Sequence, residues 1–168
     1  WNNQQDLQEH LDRANQTNVH LLERVREISL YLRPAMMDDL GLIPALLAFF
    51  ERYNAQTQIQ VLLKHSGVER RFTPKVETAV FRIIQEALTN VARHTQSTQI
   101  TVRLWADSNY LRLQVEDDGG GFNPQQAMQQ GLTSGLSGMA ERAASCGGSL
   151  DIESEPGQGT CLSAEFAL

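Results

Sequence analysis

From Thr73 onward the chain carries the pattern that most limits what it can fold into. Val76, Val80, Ile83, Ala87 and Val91 recur at three- and four-residue spacing, with Ala79, Ile84 and Leu88 beside them. Such a stripe is one face of an α-helix, and it must be buried against a second layer. Thr73-Pro74 marks the start, because a Thr hydroxyl at the N-cap accepts from an orphan N–H and Pro suits the first helical position. Glu77 adds negative charge to the first turn. The second layer is readable downstream. Gln99–Trp105 and Leu111–Glu116 alternate about Asp107-Ser108-Asn109, which predicts a β-hairpin. A loop from Asp117 to about Ser134 leads to a helix over about Leu136 to Ser145, stopped by Gly147-Gly148. A second hairpin, Ser149–Ser154 and Thr160–Phe166, turns at Pro156-Gly157-Gln158-Gly159. Upstream lie an apolar helical run, Ile43 to Tyr53, and a strand, Gln58 to Leu63. This order predicts an α+β fold: a two-layer α/β sandwich with a mixed sheet and helices on one face.

Residues 1–33 contain neither Gly nor Pro. Leu7, Leu11, Ala14, Asn18, Leu21, Val25, Ile28 and Leu32 alternate at four and three, an a/d seam that suits pairing with another helix. Arg33-Pro34 ends it, since Pro disfavours helical geometry in the residue before it. The chain thus divides into a long helical stem, 1–34, and a domain, 35–168. A solvated helix packed on its own domain is the plainer alternative for the stem. With 41% hydrophobic and 20% charged residues the chain can close a core and is not disordered. Its net charge of −6, with no basic run longer than Arg70-Arg71, excludes nucleic acid as a partner. Cys146 and Cys161 have no metal-ligand spacing and read as reduced thiols. No apolar stretch approaches the ~20 residues that cross a bilayer, so a membrane would be reached only through regions not in this chain. Trp1 in place of an initiator Met suggests a piece of something longer.

Four short groups of residues carry chemistry. Glu86 and Asn90 stand one turn apart on the long helix, where a carboxylate and a carboxamide can poise a base beside an oxygen-ligated Mg²⁺. Solvated polar residues on an amphipathic helix would look the same. Asp117-x-Gly119-x-Gly121 ends a strand; glycines there let the backbone pass close to a flat or charged group, and the Asp can accept from an exocyclic amine. Gly135-Leu136-Ser137-Gly138 opens a helix whose free N–H groups suit phosphate. Gly157-Gln158-Gly159-Thr160 is a turn whose hydroxyl can reach the same pocket, or a plain hairpin turn.

Taken in this order, the set resembles the N, G1, G2 and G3 boxes of the ATPase superfamily shared by gyrase, the ninety-kilodalton heat-shock chaperones, histidine kinases and MutL proteins. Arg82-Ile83-Ile84-Gln85-Glu86-Ala87-Leu88-Thr89-Asn90 is similar to the N box of sensor histidine kinases that pair with NarL-type response regulators. Leu32-Arg33-Pro34, Asp38-Asp39-Leu40-Gly41-Leu42 and Gly138-Met139-Ala140-Glu141-Arg142 look like the same class. The resemblance runs from about Arg33 to the C-terminus and implies a short lid.

The resemblance implies that residues 35–168 are an ATP-binding catalytic domain and the stem is the second helix of a dimerisation and phosphoacceptor hairpin. Glu86 would be the catalytic carboxylate and Asn90 the Mg²⁺ ligand. Asp117 would read adenine, with Thr160 assisting. Gly119 and Gly121 would give the nucleotide room, and Gly135, Leu136 and Gly138 would bring N–H groups to the phosphates. Arg82 and His94 would be further phosphate contacts. The cofactors implied are ATP and Mg²⁺; the partners are a response regulator receiver domain and, in the intact protein, a second copy in a homodimer, at a cytoplasmic location. Two departures stand out. Thr133 occupies a place where the family's lid usually has Gly. The family's phosphorylated His precedes an acidic residue, whereas His10 and His20 precede Leu11 and Leu21, and His65 and His94 fall in the domain. The acceptor helix is therefore expected to lie outside this sequence. The rival readings are a nucleotide-binding or dimerisation module without transfer activity and an anti-sigma-factor-like serine kinase.

Overall fold

The computed structural model describes residues 35–124 and 134–168. The predicted stem with its seam, His10 and His20, and the lid segment with Thr133 all lie outside the described residues. The elements are α1 (Ala35–Leu40), α2 (Leu42–Thr57), β1 (Gln60–Ser66), α3 (Pro74–His94), β2 (Gln99–Ala106), β3 (Tyr110–Asp117), α4 (Ser134–Ser145), β4 (Ser149–Ser154) and β5 (Thr160–Ala167). The strands form one sheet in the order β1-β2-β3-β5-β4. β1 runs parallel to β2, and the other pairs are antiparallel, so the sheet is mixed as expected. A parallel pair needs a crossover, and α3 supplies it.

Alternation along the strands decides which face is covered. Val102, Val115 and Leu162 pair across three strands, and so do Leu104, Leu113 and Ala164; all are buried. Onto them α3 lays Val76, Val80, Ile83, Ala87 and Val91, the stripe read from the sequence, together with Ile84 and Leu88. Met139 and Ala143 of α4 and Leu46, Phe50 and Tyr53 of α2 complete the core. The opposite sheet face is polar, with cross-strand pairs Arg103–Glu116 at 2.6 Å and Arg112–Glu165 at 2.7 Å. Exposed pairs of this kind add little stability, but they keep that face wet.

Two boundaries differ from the sequence reading. A short helix that the sequence reading did not predict, α1, precedes Gly41 (φ +88), and α2 runs from Leu42 to Thr57, beyond the predicted end at Tyr53. The strand begins at Gln60 rather than Gln58, because Gln58 (φ +64) closes α2 in the left-handed region and its N–H donates to the Asn54 carbonyl at 3.0 Å. The Asn54 side chain then accepts from Val61 N at 3.1 Å, fixing how the chain leaves the helix.

α3 is anchored at both ends of its apolar half. Thr73 Oγ1 accepts from Val76 N, with Pro74 at the first helical position, as its sequence predicts. Glu77 does more than supply first-turn charge. It is fully buried, and Oε1 accepts from Arg71 Nε and from Phe72 N, both at 3.0 Å, while Oε2 accepts from Arg71 Nη2 at 3.0 Å. The same guanidinium donates to the carbonyls of Met37 and Asp38 in the last turn of α1, where helix carbonyls lack partners. One ion pair thus ties α1 to the start of α3. Farther along, the buried Tyr53 hydroxyl donates to the Leu88 carbonyl at 2.9 Å, and burial pushes its pKa up to about 12.

Replacing Glu77 by Ala removes a buried acceptor and strands Phe72 N, so it should lower the unfolding free energy by about 2–3 kcal/mol. Urea denaturation checks this; an unchanged midpoint would mean the clamp contributes nothing.

Candidate functional site

Glu86 and Asn90 are half-buried on the edge of α3. α4 runs back along α3, antiparallel to it. At one end the Lys75 ammonium donates to the Ser145 carbonyl; at the other, Gly135 lies against Glu86 and Asn90. A Cβ at Gly135 would stand 2.5 Å from Glu86 Oε1 and 3.7 Å from Asn90 Nδ2. Any larger residue would displace the carboxylate. The first-turn N–H groups of α4 have no intrahelical acceptor. The close approach therefore brings the partial positive charge of a helix start beside a carboxylate and a carboxamide.

Asp117, Thr160 and Ser154 come from the sheet. Asp117 pairs with Ile100 and Thr160, and Thr160 pairs with Ser154. This row follows Val102–Val115–Leu162–Ile152 on the apolar face, so the side chains of Asp117 and Thr160 face the helical layer where the core ends. Asp117 is 8% exposed. Burial pushes its pKa up, aided by the neighbouring Asp118, while hydrogen bonds from Gly119 N (2.9 Å) and from Thr160 oppose the shift. Asp118 is its opposite. It is exposed and accepts from Ser97 Oγ at 2.5 Å and Thr98 N at 3.1 Å, bonds that hold its pKa down. The two adjacent aspartates are thereby separated into a buried, core-facing carboxyl and a strap across the α3–β2 connection.

The glycines divide in the same manner. A Cβ at Gly119 would meet Thr95 Cβ at 2.6 Å, and one at Gly121 (φ +57) would meet the Glu155 carbonyl at 2.1 Å, whereas Gly120 faces open space. The spacing Asp117-x-Gly119-x-Gly121 thus selects the two positions that need glycine. Gly159 (φ +75) lies against the Asp117 carbonyl, where a Cβ would stand 2.1 Å away. The turn is clamped to the glycine loop, Gly157 N donating to the Gly120 carbonyl at 2.6 Å and Phe122 N to Ser154 Oγ at 2.9 Å.

Ser154 escaped the sequence reading. Its hydroxyl lies 3.1 Å from Thr160 Oγ1 and donates to the Gly159 carbonyl at 2.9 Å. Its place opposite Thr160 in the last hairpin was the available signal. A cavity of about 530 Å³ opens here, lined by Asp117, Pro124, Ser154, Gly159 and Thr160 among others. That is within the range of small-ligand pockets. Glu86 and Asn90 do not line it, so the two clusters stand as separate ends among the described residues.

The remaining candidates are more peripheral. Leu136 packs against the core from the first turn of α4, and Gly138 faces the end of the Arg142 side chain. His94 is the exposed last residue of α3. Arg82 is turned to Gln85, to which Nη1 donates at 2.9 Å; burial first and Arg142 second push its pKa down. Among the described residues no three or more His, Cys, Asp and Glu side chains gather as a metal site. Mg²⁺ does not require such a cluster, because it keeps waters and takes phosphate oxygens, so the carboxamide oxygen of a single residue such as Asn90 fits it.

Burial raises the folded-state pKa of Asp117 above its unfolded value. Its ionisation therefore costs stability as pH rises through the folded pKa. Asp117→Asn keeps an acceptor for Gly119 N but cannot ionise. Its unfolding midpoint relative to wild type should improve between pH 4 and pH 8, in a thermal series without nucleotide. A difference independent of pH would contradict the buried-carboxylate account.

Residues 75–168 match the family model described as "Histidine kinase-, DNA gyrase B-, and HSP90-like ATPase". Among curated proteins, the chain is 33% identical to the oxygen sensor histidine kinase NreB of Staphylococcus carnosus, over 98% of this chain and 48% of that protein. It is 35% identical to the signal transduction histidine-protein kinase/phosphatase DegS of Bacillus subtilis, over 81% of this chain and 36% of that protein. It thus spans less than half the length of either relative. The fold is similar to that of the histidine kinase domain of the blue-light activated histidine kinase of Erythrobacter litoralis, with a TM-score of 0.61 at 21% identity, covering 79% of this chain and 68% of that one. By its sequence match over more than half its length, this chain belongs to the histidine kinase-, DNA gyrase B- and HSP90-like ATPase family and is a histidine-kinase-type ATP-binding domain.

Proposed function

We propose that the chain is the catalytic part of a two-component sensor histidine kinase, moving the γ-phosphoryl of ATP to a histidine nitrogen. The observation that carries the reading is the seating of α4 on Glu86 and Asn90 through Gly135. A helix start, a carboxylate and a carboxamide meet at that spot, and Asp117 pairs with Thr160 at the sheet end, where they would read adenine. Asp117, as carboxylate, accepts from the adenine amino group with Thr160 beside it, and Gly119 and Gly121 keep the backbone thin against the base. The N–H groups of Gly135, Leu136 and Ser137 take the phosphates. Asn90 would hold Mg²⁺, which would supply charge neutralisation on the phosphates. In the transfer the bond between the β–γ bridging oxygen and the γ-phosphorus breaks and a P–N bond forms. Glu86 takes the proton that the imidazole nitrogen loses, and ADP leaves. Positioning and charge neutralisation supply most of such catalysis. His94 lies one turn beyond Asn90 as a further contact at the phosphate end.

The division into a stem at 1–34 and a catalytic domain at 35–168 belongs to the same proposal. So do a homodimer through the stem seam, an accepting histidine on a helix outside this sequence, and relay to the receiver domain of a response regulator, of NarL type by the N-box wording. A cytoplasmic location follows from the need for ATP and regulator. No helix among the described residues is long and apolar enough to cross a membrane.

Thermal unfolding with and without Mg-ADP tests the reading. Nucleotide at about 100 times its dissociation constant should stabilise by roughly 2.7 kcal/mol. Asn90→Ala should lose the magnesium-dependent part of that shift. Glu86→Gln should keep it while slowing phosphoryl transfer to an acceptor segment by about 10²-fold or more, the scale of general-base loss. A wild-type protein that gains no stability from Mg-ADP would defeat the proposal.

A further inference from the structure

The nucleotide reading gives Ser154 no task, yet three groups converge on its hydroxyl. Ser154 Oγ accepts from Phe122 N at 2.9 Å, donates to the Gly159 carbonyl at 2.9 Å and lies 3.1 Å from Thr160 Oγ1. Thr160 in turn hydrogen-bonds to the Asp117 carboxylate. Asp117, Thr160 and Ser154 are cross-strand neighbours on β3, β5 and β4, and all three line the cavity at the sheet end. The row of side chains is therefore also a line of hydrogen bonds, and it ends on the backbone of the glycine loop and of the last turn.

A count of protons limits how this line can run. Each hydroxyl has one proton and two lone pairs. Thr160 has two acceptors in reach, Asp117 and Ser154, and Ser154 has two, the Gly159 carbonyl and Thr160. Phe122 N occupies one lone pair of Ser154 in every arrangement. If Thr160 donates to Ser154, it turns a lone pair toward Asp117, and an ionised carboxylate repels it. If Ser154 donates to Thr160, the proton of Thr160 is free to point away from Ser154, toward Asp117 and the cavity. The donors Phe122 N–H, Ser154 O–H and Thr160 O–H then follow one another in a single direction, each strengthening the next.

That direction suits adenine. Beside its amino group adenine carries a ring nitrogen that only accepts, whereas hypoxanthine, with a carbonyl at that place, carries a ring N–H. Selecting adenine takes an acceptor with a donor next to it. Asp117 is the acceptor. Tyr53, whose hydroxyl is near enough to feel the Asp117 charge, has its proton committed to the Leu88 carbonyl at 2.9 Å. The donor is left to Thr160.

We propose that Ser154 is a positioning residue for base selection: it gives its proton to Thr160 Oγ1 as Thr160 gives its own to a ring nitrogen of adenine. The inference rests on the adenine reading above and deepens it. Ser154 acts through Thr160 and has no part at the Glu86–Asn90 end.

The test is calorimetry of Mg-ADP and Mg-IDP (inosine diphosphate) binding to wild type and to variants at Ser154 and Thr160. Ser154→Ala should weaken ADP binding by about 10-fold, the scale of one hydrogen bond, and leave IDP within about 2-fold. Ser154→Cys, which fills the same place with a poor donor, should show the same fall in the ADP-to-IDP affinity ratio, and Ser154→Thr should keep the wild-type ratio. Adding Ser154→Ala to Thr160→Val should lower the ratio no further, because the effect runs through Thr160. Equal losses of ADP and IDP overturn the proposal, since Ser154 then only clamps Phe122 and Gly159. An unchanged ratio in Ser154→Ala overturns it too, as do additive losses in the double variant. A wild type that binds neither nucleotide is a different result, since there the nucleotide reading itself fails and takes this inference with it.

Discussion

The site depends on how closely two antiparallel helices can lie at one point. α4 ends near Lys75 and begins at Glu86, and only the missing side chain of Gly135 lets its first turn reach the Glu86 carboxylate. Free N–H groups at a helix start act as a charge over only a few ångströms. A Cβ there would stand 2.5 Å from Glu86 Oε1, so it would push apart the donors and the carboxylate whose juxtaposition forms the site. The Glu77–Arg71 clamp and the Tyr53 hydroxyl hold α3 from behind, and the apolar stripe fixes which of its faces is left to meet α4.

The second constraint is where the apolar face of the sheet stops. Rows of Val, Leu and Ala give way to the row Asp117–Thr160–Ser154, so a carboxylate occupies a core-facing position at the end of the strand. That placement costs stability, because burial opposes ionisation of Asp117, and a group that accepts from a base amine repays it only when the base is bound. Gly119, Gly121 and Gly159 hold the loop and the turn tight around it. The Asp117 cluster is built by strand register, the Glu86–Asn90 cluster by helix packing, and α3 spans the distance between them.

Much of this was legible from residue order. The period of α3, its Thr73-Pro74 start and both hairpins follow from local patterns that tertiary structure left intact. So did the pairing of glycine spacing with a preceding Asp, since Gly119 and Gly121 are the sterically confined members of the triplet. What sequence could not give was the left-handed Gln58 that delays β1, the buried bidentate use of Glu77, and the bridging role of Ser154. Each depends on partners that are distant in the chain or on a backbone state open to many residues. Arg82, a phosphate contact by the resemblance, donates to Gln85, an i,i+3 bond that residue order alone does not single out.

The central claim, that Asp117 reads a base amine at one end of a split nucleotide site, is tested most directly by comparing the affinities of Mg-ADP and Mg-GDP for the wild-type protein by calorimetry. A buried carboxylate that accepts from the adenine amino group meets a carbonyl oxygen in guanine, and unpaired buried polar groups discriminate strongly. The account predicts that GDP binds at least about 100-fold more weakly, a difference of roughly 2.7 kcal/mol. Equal affinity for the two nucleotides would contradict it.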